Sequence, residues 1–147
     1  MPEIIIGCDL SRACLDIYSL PADSVGRIDN SADAVAAWAA SLDQNCLVIF
    51  EATSGCDADL VSALVAQGIA FSRVNPRQAR EFARAMGVIA KTDRVDARVL
   101  AQMGARLDLP VTSSPDPARR MLADHLRRRR QLVDMRKAEK VRRHSAG

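Results

Sequence analysis

The segment Cys46–Phe50 (CLVIF) constrains this chain most, because an unbroken apolar run of that length has both faces to bury. Such a strand belongs inside a sheet that is covered on two sides, and helices are the usual cover. Other stretches fit beside it. Glu3–Asp9 is an apolar run that ends in an acid, and Ala13–Leu20 alternates around Leu15, Ile17 and Leu20. Pro21–Ser24 reads as a turn into a short strand at Val25–Ile28, and Ile69–Val74 supplies one more.

Helical periods fall between these runs. Asn30 or Ser31 caps a helix with Val35, Trp38 and Leu42 on one face. Asp57–Gln67 carries Leu60, Val61, Leu64 and Val65 as a stripe and stops at Gly68. Asn75-Pro76 pairs a cap with the first helical position, opening a helix that turns Ala79, Phe82, Ala83 and Met86 inward and ends at Gly87. Thr92 caps a further helix running to about Leu107. The expected fold class is α/β, a mixed sheet flanked by helices and followed by a long basic helix. Residues 1–107 form the domain, 108–117 (DLPVTSSPDP) a Pro- and Ser-rich linker, and 118–147 a basic helical extension.

With 147 residues and 48% apolar content, one compact domain can form without a metal or disulfide staple. Aromatic residues make up only 3%, so Ala, Val, Leu and Ile must build the core. Cys8, Cys14, Cys46 and Cys56 form no CxxC pair, and His125 and His144 lie far from them, which argues against zinc. Reduced thiols packed as small hydrophobes are the expectation. No apolar run approaches the ~20 residues of a membrane span, and the start lacks the features of a secretory signal. A cytoplasmic protein with no membrane association is expected.

The net charge of +3 conceals a division. Residues 1–72 hold two arginines against ten carboxylates, whereas 73–106 hold eight basic residues against three acids. Residues 116–147 hold eleven against four. A cation-binding site beside a polyanion-binding surface fits this pattern.

Two acids close apolar strands, Asp9 after the first and Glu51 after Cys46–Phe50. Functional groups of α/β sheets gather at strand ends. Asp93 and Asp96, three apart in the expected helix, fall about 60° apart on one face. Four carboxylates make an all-oxygen set suited to Mg²⁺ or Mn²⁺, and two such ions clamp both reacting oxygens of a phosphodiester. The competing reading is that Asp93 and Asp96 merely complement the helix dipole. Spacing alone does not bring the four together.

The segments IIIGCDLSRACLDIY, VIFEATSG, VNPRQAREFARAMG and AKTDRVDARVLAQ, in this order, resemble the N-terminal domain of bacterial insertion-sequence transposases with a DEDD tetrad. That family includes the pilin-gene-inverting DNA recombinase. The resemblance runs through roughly residues 3–140, and it implies a RuvC-like, ribonuclease-H-type fold with Asp9, Glu51, Asp93 and Asp96 as the catalytic and metal-binding tetrad. It also implies DNA as substrate, a structured guide (bridge) RNA as a second partner, and a homo-oligomer. Cys56 stands where the family often has an aromatic residue. Family members continue into a C-terminal domain with a catalytic serine, so this chain is expected to be incomplete for strand exchange.

Arg77, Arg80 and Arg84 form one stripe, and Lys91, Arg94 and Arg98 follow, a pattern suited to phosphates. Arg127, Arg128 and Arg130 are further candidates, although Arg127–Arg130 point in four directions and Arg129 falls in the apolar stripe of Leu122, Leu126 and Val133. A partner helix and a nucleic-acid surface fit this helix equally. The scarcity of aromatics argues against base stacking. The alternative function is a non-catalytic nucleic-acid-binding and oligomerisation module. An actin-like ATPase is disfavoured because Asp9-Leu10-Ser11 lacks a Gly-rich phosphate loop.

Overall fold

A computed structural model describes residues 2–52, 55–87, 95–112 and 117–145, without the side chains of 117–120, 122–124, 127 and 145. The chain divides into two compact units, Met1–Ser114 and Pro115–Gly147.

In the first unit, β1 (Ile4–Leu10), β2 (Cys14–Leu20) and β3 (Ser24–Asp29) form an antiparallel meander. After α1 (Ala32–Ala40), β4 (Cys46–Glu51) pairs parallel to β1; α2 (Ala58–Gln67) then leads to β5 (Ala70–Val74), parallel to β4. The strand order is β3-β2-β1-β4-β5, and helices α3 (Pro76–Ala85) and α4 (Ala97–Arg106) complete the unit. This is a mixed, RuvC-like α/β sheet. The second unit holds α5 (Pro117–Ser145).

Local chemistry explains most boundaries. Ser31 caps α1 by accepting from the Ala34 amide, and Asn75 caps α3 by accepting from the Arg77 amide ahead of Pro76. Gly68 ends α2 in the left-handed conformation, φ 69°, which glycine adopts without a Cβ penalty.

Side-chain alternation sorts the core into two layers. Ile6, Cys8 and Leu10 of β1, with Val48 and Phe50 of β4, pack against α1 and α2. Phe50 stacks on Phe71 with ring centroids 5.8 Å apart. Ile5 of β1, with Leu47 and Ile49 of β4, packs against α3 and α4 through Ala79, Ala83, Leu100 and Met103. Small residues let α4 settle unusually low. A Cβ on Gly7 would overlap the Ala97 carbonyl and reach 2.6 Å from the Ala101 nitrogen, and one on Gly104 would reach 2.7 Å from Ile49 Cγ1.

Three expectations need correction. The last helix of the first unit starts at Ala97 with Asp96 as its N-cap, so Asp96 is not a helical residue; Thr92 lies outside the described residues. Met86 is exposed because α3 has already ended at Ala85 and its alanines supply the contact face. Within 108–117, Leu109 is buried in the α4-side core and Thr112 exchanges backbone hydrogen bonds with Phe71, so that part is packed chain rather than loose connection.

All four thiols are free. Cys8 and Cys46 are buried, and burial pushes the Cys8 thiol far up and the Cys46 thiol to about 11. Both stay protonated in the native state while an unfolded chain ionises near its ordinary value of about 8.5. Stability from these thiols is therefore full below that pH and falls as pH rises toward 11. An Ellman titration at pH 8 is expected to find Cys14 and Cys56 reactive in the native chain and all four thiols in denaturant.

Gly7→Ala should destabilise by about 3 kcal/mol or more in urea unfolding, because the added methyl meets helix backbone that cannot step aside. Gly26→Ala, whose Cβ meets only Ile17 Cβ at 4.0 Å, should change stability by less than about 0.5 kcal/mol.

Candidate functional site

The register brings two of the sequence-predicted acids together. Cys8 pairs with Phe50 across parallel β1 and β4, and the next residue on each strand is Asp9 and Glu51. Neighbouring strands lie about 4.8 Å apart. Alternation puts both carboxylates on the face of Ile5, Gly7, Leu47 and Ile49, the face covered by α4. Both are half-buried and have interaction partners.

Asp96 approaches from the helix layer. It immediately precedes Ala97, which rests on Gly7, two residues before Asp9 and on the same face of β1. The Asp96 carboxylate is exposed, and its Oδ1 accepts from the Val99 amide at 2.9 Å. It thus satisfies an orphan amide of the helix start, and the cap uses that oxygen alone. Asp93 lies outside the described residues, as do Lys91 and Arg94. Among the described residues, no three acidic, His or Cys side chains stand close enough to hold one metal ion.

Sequence reasoning missed a third acid on this face. Asp16 of β2 is the direct cross-strand partner of Asp9, and Arg27 of β3 is the direct partner of Asp16. Like charges facing each other across a ladder repel. Arg27 answers that repulsion by donating from Nε to Asp16 Oδ1 at 2.6 Å and from Nη2 to Oδ2 at 3.2 Å. The same bond holds the Arg27 guanidinium above its usual pKa range. The row across the sheet reads Arg27, Asp16, Asp9, Glu51. The available signal was Asp16 lying at an even position of β2, opposite in parity to the core residues Leu15 and Ile17.

Exposed basic residues lie on α3, α4 and α5. Arg77, Arg80 and Arg84 are exposed along α3, and with Asn75, Pro76 and Glu81 they line a groove of about 560 Å³. Glu81 accepts from Arg77 at 3.1 Å, a solvated pair that leaves the stripe cationic. Arg98 of α4 is exposed and lies over the Tyr18 ring, 5.6 Å from its centroid. Arg128, Arg129 and Arg130 are exposed on α5 in the second unit; the Arg127 side chain lies outside the described residues. Arg73, which sequence reasoning did not single out, pairs with buried Asp57 at 2.6 Å on the opposite face and supports the start of α2.

A RuvC-like sheet with acids at the ends of its central strands and arginines beside them defines a nucleic-acid-processing domain. A family model described as "Transposase" matches residues 20–146, and the chain belongs to that family, the IS110-type DEDD transposases. The match begins after β1, so Asp9 precedes it. Membership supports a transposase-type function and implies DNA binding, and a DEDD family suggests the use of divalent metal. A search of curated proteins gives no match to the chain. No helix among the described residues is long and apolar enough to cross a membrane.

The capping role of Asp96 separates from any role in cation binding. Asp96→Ala should cost about 1 kcal/mol in urea unfolding with EDTA present, whereas Asp96→Asn, which can still accept from Val99, should cost only a few tenths. Equal losses would refute the cap.

Proposed function

We propose that the acidic end of the sheet holds two divalent cations, Mg²⁺ or Mn²⁺, for cleavage and strand transfer of DNA phosphodiesters. Asp9, Glu51, Asp93 and Asp96 are its donors. One observation carries the reading: Asp9 and Glu51 sit at the same ends of adjacent parallel strands, on the face where Gly7 admits the Asp96-capped start of α4. The donor chemistry fits, because the acids supply only oxygens and the described residues around them include no histidine ligand. When bound, such ions supply charge stabilisation to the attacking and leaving oxygens.

The chain's own residues do the rest. Asp9 and Glu51 present negative charge from strand ends that the core fixes in place. Arg77, Arg80, Arg84 and Arg98 bind backbone phosphates on the flanks, joined by Lys91 and Arg94. Arg27 neutralises Asp16, so the acid row carries less repulsion before any cation arrives. Residues 1–107 are the catalytic part and 118–147 a basic helical extension, the whole acting in the cytoplasm. A bridge-type guide RNA is the second polyanion for the basic surfaces, Arg127, Arg128 and Arg130 included. Oligomerisation through α5 is supported by Leu126, Leu132 and Val133, which are 55%, 50% and 41% exposed.

Isothermal titration with Mn²⁺ tests the reading. The wild-type chain should bind, and Asp9→Asn or Glu51→Gln should weaken binding at least about tenfold. Equal heats for wild type and both variants would defeat it. A second reading, a nucleic-acid-binding and oligomerisation module without chemistry, is favoured by the absence, among the described residues, of three candidate ligands close enough to hold one ion. Cleavage of branched or linear DNA with Mg²⁺ that disappears in Asp96→Asn separates the two, because that variant keeps the cap.

A further inference from the structure

We propose that Tyr18 is a positioning residue that seats Arg98 as a phosphate-binding side chain beside the acidic end of the sheet. Tyr18 lies on the α4 face of β2 and is only 6% exposed. Its cross-strand partner is Gly7, the residue on which Ala97 rests. Arg98 is the next residue of α4, and the low seat of the helix lays its guanidinium over the Tyr18 ring at 5.6 Å from the centroid. That is inside the range of a favourable cation–π contact. The ring is held from the other end, because the Tyr18 hydroxyl donates to the Asp23 carboxylate in the β2–β3 turn.

The manner of restraint separates Arg98 from its neighbours. Arg27 gives its N–H groups to Asp16, Arg73 to Asp57, Arg77 to Glu81, and Arg106 to Gln102 and Met86. Arg98 is stacked on a π-face, and none of its donors goes to a carboxylate among the described residues. A stacked guanidinium keeps its planar fork of donors for an anion while losing less freedom on binding. Gly7 lies two residues before Asp9 on the same face of β1, so the ring that carries this fork enters the sheet two residues from the row of acids. The chemistry it suits is the sugar-phosphate backbone of DNA crossing the acidic end.

The proposal rests on the reading of that end as a DNA site, but its test needs no metal. Fluorescence anisotropy of a labelled DNA duplex of random sequence is measured in EDTA at several KCl concentrations, with affinities expressed per folded molecule. Arg98→Gln should weaken binding about fivefold at 0.1 M salt and lower the salt slope by about 0.9, the signature of one lost phosphate contact. Tyr18→Leu should lose about threefold, Tyr18→Phe should retain wild-type affinity, and Tyr18→Leu should add nothing in the Arg98→Gln background. Arg98→Lys, an exposed change that leaves folding intact, keeps the charge without the planar stack and should bind about threefold more weakly.

A merely structural Tyr18 would lower the melting temperature and leave affinity and salt slope of the folded fraction unchanged, which would overturn the proposal. Arg98→Lys matching wild type would overturn it even where Tyr18→Leu does not fold. A wild-type chain that binds no duplex would overturn both this proposal and the DNA reading. Wild-type binding that Arg77→Gln weakens but no Tyr18 or Arg98 variant changes would overturn this proposal alone.

Discussion

Gly7 has no Cβ, and for that reason the Ala97 carbonyl and the Ala101 amide can lie directly on β1. Along α4 the contact seam is made of small residues, Ala97, Ala101 and Gly104, which leave no room for a Cβ on Gly7 or on Gly104 itself. Because the contact falls at the start of the helix, its consequence is local. The capping residue is carried down toward the strand ends instead of projecting above them. Register does the complementary work, since parallel pairing of β1 and β4 makes Asp9 and Glu51 neighbours without any loop having to arrange them.

Placing acids side by side has an electrostatic cost, and the fold distributes it. Asp16 faces Asp9 directly, and its charge is answered by a two-point bond from Arg27 at the edge of the sheet. Asp96 is answered by the amide of Val99 and by the positive end of α4. A carboxylate that serves as a helix cap is held in one rotamer by its bond to the backbone amide. The cap and the proposed donor role are therefore compatible, and the first makes the second less costly in side-chain entropy.

Most of the fold was legible because its signals are local. Ser31, Gly68 and the Asn75-Pro76 pair each announce a helix boundary by a bond or dihedral made within a few residues. The strands were equally readable, since Leu15 and Ile17 alternate with Asp16 in β2 and the all-apolar Cys46–Phe50 marks a strand covered on both faces. What failed depended on distance along the chain. An aspartate at the first turn of a helix and one at its N-cap look alike in sequence, so spacing puts Asp96 inside the helix although it is the cap. Asp16 passed unnoticed because nothing near it identifies its partners; the register with Asp9 and Arg27 does. Leu109 and Thr112 sit among turn-forming residues, and only the backbone of Phe71 on a distant strand gives them a place.

The distribution of arginines carries the same lesson into function. Counting charge over residues 73–106 marks a basic stretch but cannot rank its members. The structure ranks them by what each guanidinium has already committed. Arg73 is bound to a buried acid and holds α2 in place, so its loss acts first on stability. Arg77 shares its charge with Glu81 in water, where such pairs are worth little and give way to a better anion. Arg98 is oriented by a ring that cannot accept its N–H groups along the fork, so orientation and donor capacity are both preserved. On the proposed reading, Arg98 therefore offers a phosphate an oriented fork, and the sheet supplies that arrangement through Gly7 and Tyr18, two residues with no charge of their own.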